Sequence, residues 1–136
     1  MLSLKKEKGD KFMKQLAIED LQLKARHFVR ERDWEQYQTS RDICMSLNIE
    51  ASELLELFLW LKDAEVAEIK SNQKKMPAIR EEIADVFYWL IRLADTLDID
   101  LELAFIEKLQ KNELKYPVEF CKGKTEKYTE LVTLPK

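Results

Sequence analysis

Glycine is nearly absent from this chain: there are two in 136 residues, Gly9 and Gly123, each near an end. A phosphate-cradling loop of the Walker or dinucleotide type needs glycines between a strand and a helix, so any phosphate must be held by side chains and metal ions. Histidine occurs once, as His27. That excludes a multi-histidine zinc site and the Glu-x-x-His motifs of di-iron bundles, and His27 itself reads as a partly exposed helix residue. The two cysteines, Cys44 and Cys121, have no metal-type spacing, which fits a reduced, cytoplasmic protein. No GxSxG supports serine-esterase chemistry. No apolar run approaches the roughly 18 residues of a membrane span, and MLSLKKEKGDKF has no apolar core of a secretory signal. A net charge of −3 lacks the basic excess of a binder of nucleic-acid polymers.

What remains is rich in both apolar (46%) and charged (36%) residues, the balance of an all-α protein with one core. The pattern predicts a flexible, lysine-rich arm over residues 1–15, an all-α domain over 16–117 and a mixed, extended C-terminal tail over 118–136. Within the domain, helices are expected over about 18–33, from a Ser40 cap to about Leu61, around 63–70, from Pro77 to about Thr96, and from an Asp98 or Asp100 cap to Lys115. Pro117 stops the last of these. The expected architecture is a four-to-five-helix bundle.

Two of these helices carry acids three residues apart: Glu50 and Glu53 in NIEASELLELFLW, and Glu82 and Asp85 in IREEIADVFYWL. Residues at i and i+3 are neighbours on a helix, so each pair can aim two carboxylates at one point. At about 100° per residue, Glu50 falls inside the apolar stripe of Ile43, Leu47, Leu54, Leu57 and Leu61. A carboxylate there is costly unless it is paired or coordinates a cation. Glu82 lies at the edge of the stripe of Ile79, Ile83, Val86, Leu90 and Leu97, with Asp85 and Trp89 just outside it. Four oxygen donors around one point suit Mg²⁺, with Mn²⁺ as the alternative. Glu56 and Glu81 read as ordinary solvated acids.

Lys108, Asn112 and Lys115 share a face of the last helix, with Lys111 on its flank, and ammonium and amide groups can grip the outer phosphates of a nucleotide. Trp34 and Tyr37 occupy a connection rather than a periodic core position, which suits Trp34 to stacking a nucleobase. Trp60 is placed at the edge of the second helix on the side of Glu53, and Trp89 beside Asp85. The apolar faces exceed what a small monomer leaves exposed, which predicts a homo-oligomer.

Together these segments resemble the all-α nucleoside triphosphate pyrophosphohydrolases of the MazG-like kind, and within them the dCTP pyrophosphatase-like subgroup. The likeness rests on RERDWEQYQTSRD, the E-A-S-E run from Glu50, E-I-A-D from Glu82, KNELKYP and the late KYTEL, in that order. It implies Mg²⁺ ligation by Glu50, Glu53, Glu82 and Asp85, with Glu53, or else Glu50, handling the attacking water. It further implies phosphate or sugar contacts from Lys108, Asn112 and Tyr116, with Lys111 assisting, and a base pocket that includes Trp34 and Trp60, with Trp89 beside it. The implied substrate is a nucleoside triphosphate, dCTP or a related or modified deoxynucleotide, in a nucleotide-pool-cleaning role. The implied assembly is a dimer of dimers. Two positions depart from the subgroup: Ala25 stands where relatives carry a histidine, and Trp89 where tyrosine is common. The competing readings are a non-enzymatic acidic helical interaction module, and another all-α phosphohydrolase of the dUTPase or phosphoribosyl-ATP pyrophosphatase kind.

Overall fold

A computed structural model describes residues 16–126 and residue 129. The expected N-terminal arm and most of the KYTEL segment lie outside them. Among the described residues every regular element is helical, and no helix is long and apolar enough to cross a membrane. The chain divides after Asp98 into two compact units.

The first unit holds α1 (Ile18–Arg30), α2 (Ser40–Glu56), α3 (Asp63–Ala67) and α4 (Lys75–Thr96). α4 is its axis, packing along α2 on one side and α1 on another. The core is small: Ala25 and Val29 from α1, Ile43 from α2, and Ile79, Ile91 and Ala94 from α4. Arg92 is buried among them, bonded to Asp95 at 3.2 Å, while Asp95 also receives the guanidinium of Arg26. This triad ties the last turns of α4 to α1.

Helix ends explain how the connections are set. Asp20 accepts from the Ala17 N–H at 3.1 Å and opens α1. Past its end the chain closes a Schellman turn: Trp34 N–H donates to Val29 O at 3.1 Å and Asp33 N–H to Arg30 O at 3.0 Å. Asp33 takes the left-handed conformation this requires (φ 54°). Trp34 is therefore fixed by backbone bonds, and a 3₁₀ turn, Glu35–Tyr37, follows it. α2 is capped by Thr39 rather than Ser40: Thr39 Oγ1 accepts from Asp42 N–H at 3.3 Å, and the Asp42 carboxylate accepts from Thr39 N–H at 2.9 Å.

α2 also ends at Glu56, not near Leu61 as expected. Residues 57–60 tighten into i→i+3 bonds and Trp60 turns left-handed (φ 65°). The cause is tertiary, because Lys75 Nζ from the start of α4 donates to Leu57 O at 2.9 Å and caps α2 from outside. Trp60 is consequently off the helix and 95% exposed. The stripe expected on α4 needs a second correction. Ile79 is buried, but Ile83 is 53% exposed and Leu90 and Leu97 are exposed as well, since α1 and α2 flank α4 and leave this strip uncovered.

The second unit contains α5 (Leu101–Lys115) and α6 (Val118–Cys121). Asp100 caps α5, accepting from Leu103 N–H at 2.9 Å. α6 is one helical turn where extended chain was expected: Pro117 pre-sets its φ, and its carbonyl accepts from Phe120 and Cys121 at 3.0 and 3.1 Å.

Candidate metal centre and adjoining cavity

The seam between α2 and α4 gathers three acids. Glu50, Glu53 and Glu82 each place a carboxylate oxygen within 4.8 Å of the others. The i,i+3 spacing brings Glu50 and Glu53 to the same side of α2, and α4 supplies Glu82 from across the seam. Glu50 is half-buried, and its Oε1 accepts from the Trp89 indole N–H at 3.3 Å. Glu82 is also half-buried, and its Oε2 is buried without a hydrogen-bond donor among the described residues. Its carboxyl is pushed above the usual range, first by burial and then by the charges of Glu53, Glu50, Asp85 and Glu81. Asp85 stands outside the tight trio and is exposed, yet close enough for its charge to be felt there.

A carboxylate with one buried oxygen lacking a donor among the described residues, grouped with two more carboxylates, is the environment a hard cation satisfies. The donor set fits a divalent metal ion. Oxygen ligands alone, with no cysteine or histidine in the group among the described residues, favour Mg²⁺-type over Zn²⁺-type coordination.

Beside the trio opens a cavity of about 590 Å³ that Glu50 and Asp85 both line. Its apolar walls include Phe28 and Trp34, which meet edge to face at 5.9 Å between ring centres. Tyr88 and Trp89, also in its wall, meet edge to face at 5.1 Å between ring centres. Burial raises the Tyr88 phenol above its usual range. Outside, the Arg32 guanidinium sits 3.8 Å from the Phe28 ring centre and its Nη1 donates to Phe28 O at 2.9 Å. Phe28 of α1 thus lines this cavity.

The sequence-predicted residues fall into three groups. Glu50, Glu53, Glu82, Asp85, Trp34 and Trp89 surround the trio and the cavity. Trp60 does not line that cavity. Lys108, Lys111 and Asn112 stand on α5, and Tyr116 follows it, its N–H bonded to Asn112 O at 2.9 Å. Lys24, Gln38 and Tyr88 also line the cavity and were not singled out by sequence reading. Gln38 had a signal, since it ends the WEQYQ connection that already held Trp34; Lys24 and Tyr88 look like ordinary helix positions.

Known proteins resemble this chain in sequence and in fold. The profile of the MazG-like family matches residues 45–131. The chain is 38% identical over 120 residues to dCTP pyrophosphatase 1 of Rattus norvegicus and 35% identical over 120 residues to that of Homo sapiens, each match covering 88% of this chain and 71% of the relative. Among solved structures, a pyrophosphatase from Archaeoglobus fulgidus superposes with a TM-score of 0.68 at 38% identity, covering 74% of this chain and 92% of its own. An acidic trio on two packed helices, an aromatic cavity beside it and a profile match across most of the described helices lead to one assignment: the chain belongs to the MazG-like family.

Proposed function

We propose that the protein is a Mg²⁺-dependent nucleoside triphosphate pyrophosphohydrolase, converting a triphosphate and water into a monophosphate and pyrophosphate. Its preferred substrate is dCTP or a related or modified deoxynucleotide, as the names of its relatives suggest. The observation that carries the reading is the grouping of Glu50, Glu53 and Glu82, in which Glu82 keeps a buried oxygen without a donor among the described residues and Glu50 also lines the aromatic cavity.

Glu50, Glu53 and Glu82 would hold the cation, with Asp85 completing the set. Bound there, it supplies charge neutralisation at the phosphate oxygens and acidifies water. Glu53, the most exposed of the trio, takes the proton of the attacking water; the new O–P bond forms at the α-phosphorus and the α–β bridging oxygen leaves with pyrophosphate. The Trp89 N–H holds Glu50 in one orientation. Trp34 and Trp89 give the base its apolar walls. The base-binding role of Trp60, and the phosphate or sugar roles of Lys108, Lys111, Asn112 and Tyr116, rest on the resemblance of their segments to the family.

The uncovered strip of Ile83, Leu90 and Leu97 supports a homo-oligomer, a dimer of dimers in this reading. Free thiols at Cys44 and Cys121 support a cytoplasmic protein that clears unwanted nucleotides.

Product analysis after incubation with each triphosphate, with Mg²⁺ or with EDTA, tests the reading. Mg²⁺-dependent monophosphate and pyrophosphate are expected. Orthophosphate and diphosphate would show that the wrong bond was assigned, and no turnover would remove the hydrolase reading.

A further inference from the structure

Gln38 lies where two cavities meet. One is the aromatic cavity beside the acidic trio; the other is polar, about 410 Å³, and ringed by Arg26, Arg30, Glu35, Arg92 and Asp95. The Gln38 Oε1 is buried and accepts no hydrogen bond from the described residues. Its neighbours in the polar cavity are largely committed. Arg26 donates through Nε (3.0 Å) and Nη2 to Asp95, Arg92 through Nη1 to Asp95, and Arg30 through Nε to Glu35 at 2.9 Å. Arg92 Nε is itself buried and, among the described residues, makes no bond to Gln38. A buried amide oxygen left in this state is destabilising, and a ligand donor that reaches it recovers that cost.

The backbone around Gln38 is held in place. Its N–H donates to Glu35 O at 3.2 Å, and the next residue, Thr39, is locked by the capping box with Asp42. The side chain is thus presented from a fixed point, as a specificity-determining group must be.

We propose that Gln38 selects the base: its Oε1 accepts a hydrogen bond from the exocyclic amine of a cytosine-like ring lying against Trp34 and Trp89. This rests on the reading above that a nucleobase enters the aromatic cavity. A 4-oxo pyrimidine in the same pose sets a carbonyl oxygen against Oε1, two acceptors with no proton between them, and is disfavoured.

The test is binding of deoxynucleoside monophosphates to the full chain in Mg²⁺, followed by tryptophan fluorescence. Wild type is expected to bind dCMP about ten- to a hundredfold more tightly than dUMP, the range one such hydrogen bond supports. Gln38→Met keeps the length but removes the acceptor, and should bring the two affinities within about twofold. Gln38→Glu keeps an acceptor and should retain the preference. A monophosphate of 2-oxopyrimidine, lacking the 4-amino group, probes the same bond with the protein unaltered and should bind wild type as weakly as dUMP does. The inference is overturned if wild type shows no preference for dCMP, if Gln38→Met keeps the preference, or if the amine-free ligand binds like dCMP. Hydrolysis measured alongside separates the two claims. A Gln38-dependent dCMP preference with no triphosphate turnover removes the hydrolase and keeps the base reader; dCTP turnover with an unchanged preference in Gln38→Met does the reverse.

Discussion

Trp89 on α4 donates its indole N–H to Glu50 on α2 across 3.3 Å, so an aromatic wall of the cavity also orients one acid of the trio. Groups that orient a metal ligand typically matter ten- to a hundredfold in metal affinity or activity. Trp89→Phe keeps the ring and loses the donor. We expect its Mg²⁺ requirement to rise about tenfold. An unchanged Mg²⁺ midpoint in an activity titration would contradict this.

Glu82 carries the strain of the trio. Replacing it by Gln removes one of the crowded charges, so Glu82→Gln should melt higher than wild type in EDTA. It should also lose the rise in Tm expected of wild type in Mg²⁺, which at a hundred times Kd corresponds to about 2.7 kcal/mol. Thermal melts of both proteins, with and without Mg²⁺, check the crossing. Equal Mg²⁺ shifts would mean Glu82 is not a ligand.

Asp95 makes an acid-sensitive contribution to stability. Its carboxyl is held below the ordinary value of 3.8: the hydrogen bond from Arg26 lowers it most, burial pushes back next, and the charges of Arg26, Arg92 and Arg30 lower it further. The unfolded chain therefore binds this proton more tightly. The stability Asp95 contributes is complete above the unfolded value and is lost as pH falls below it, through the folded value. Asp95→Asn strands the buried guanidinium of Arg92, and should cost about 3 kcal/mol near neutral pH. Its stability should then fall less steeply than that of wild type on acidification, as read from urea midpoints across that range.

The uncovered strip on α4 makes a mass prediction. Light scattering at micromolar concentration should give a multiple of 16.2 kDa, and Ile83→Glu should shift it toward that value. A wild-type mass of one chain defeats the oligomer.

The helical class, the acids and Trp34 were readable because each leaves a local mark: period, i,i+3 spacing, an aromatic off the period. What was not readable depended on partners far along the chain. The end of α2 is decided by Lys75, 18 positions beyond the carbonyl it caps, and that moved Trp60 off the helix. Periodicity gave α4 a single stripe, whereas two flanking helices bury residues such as Ile91 and Arg92 on its other sides. Arg92 could not be foreseen in a core, since its burial is bearable only beside Asp95 and Asp95 is shared with Arg26. Gln38 lay in a recognised connection, but only the fold shows its amide oxygen buried without a donor.

The trio rests on the α2–α4 seam, while Phe28, Trp34 and Gln38 come from α1 and the turn after it. On the proposed reading, the acids that break the bond and the acceptor that chooses the base are inherited through separate stretches of sequence, with Trp89 shared between them. A descendant could trade one nucleobase for another by changes around Gln38 and Ala25 and leave its hydrolytic floor intact. Substrate range should then drift faster than chemistry.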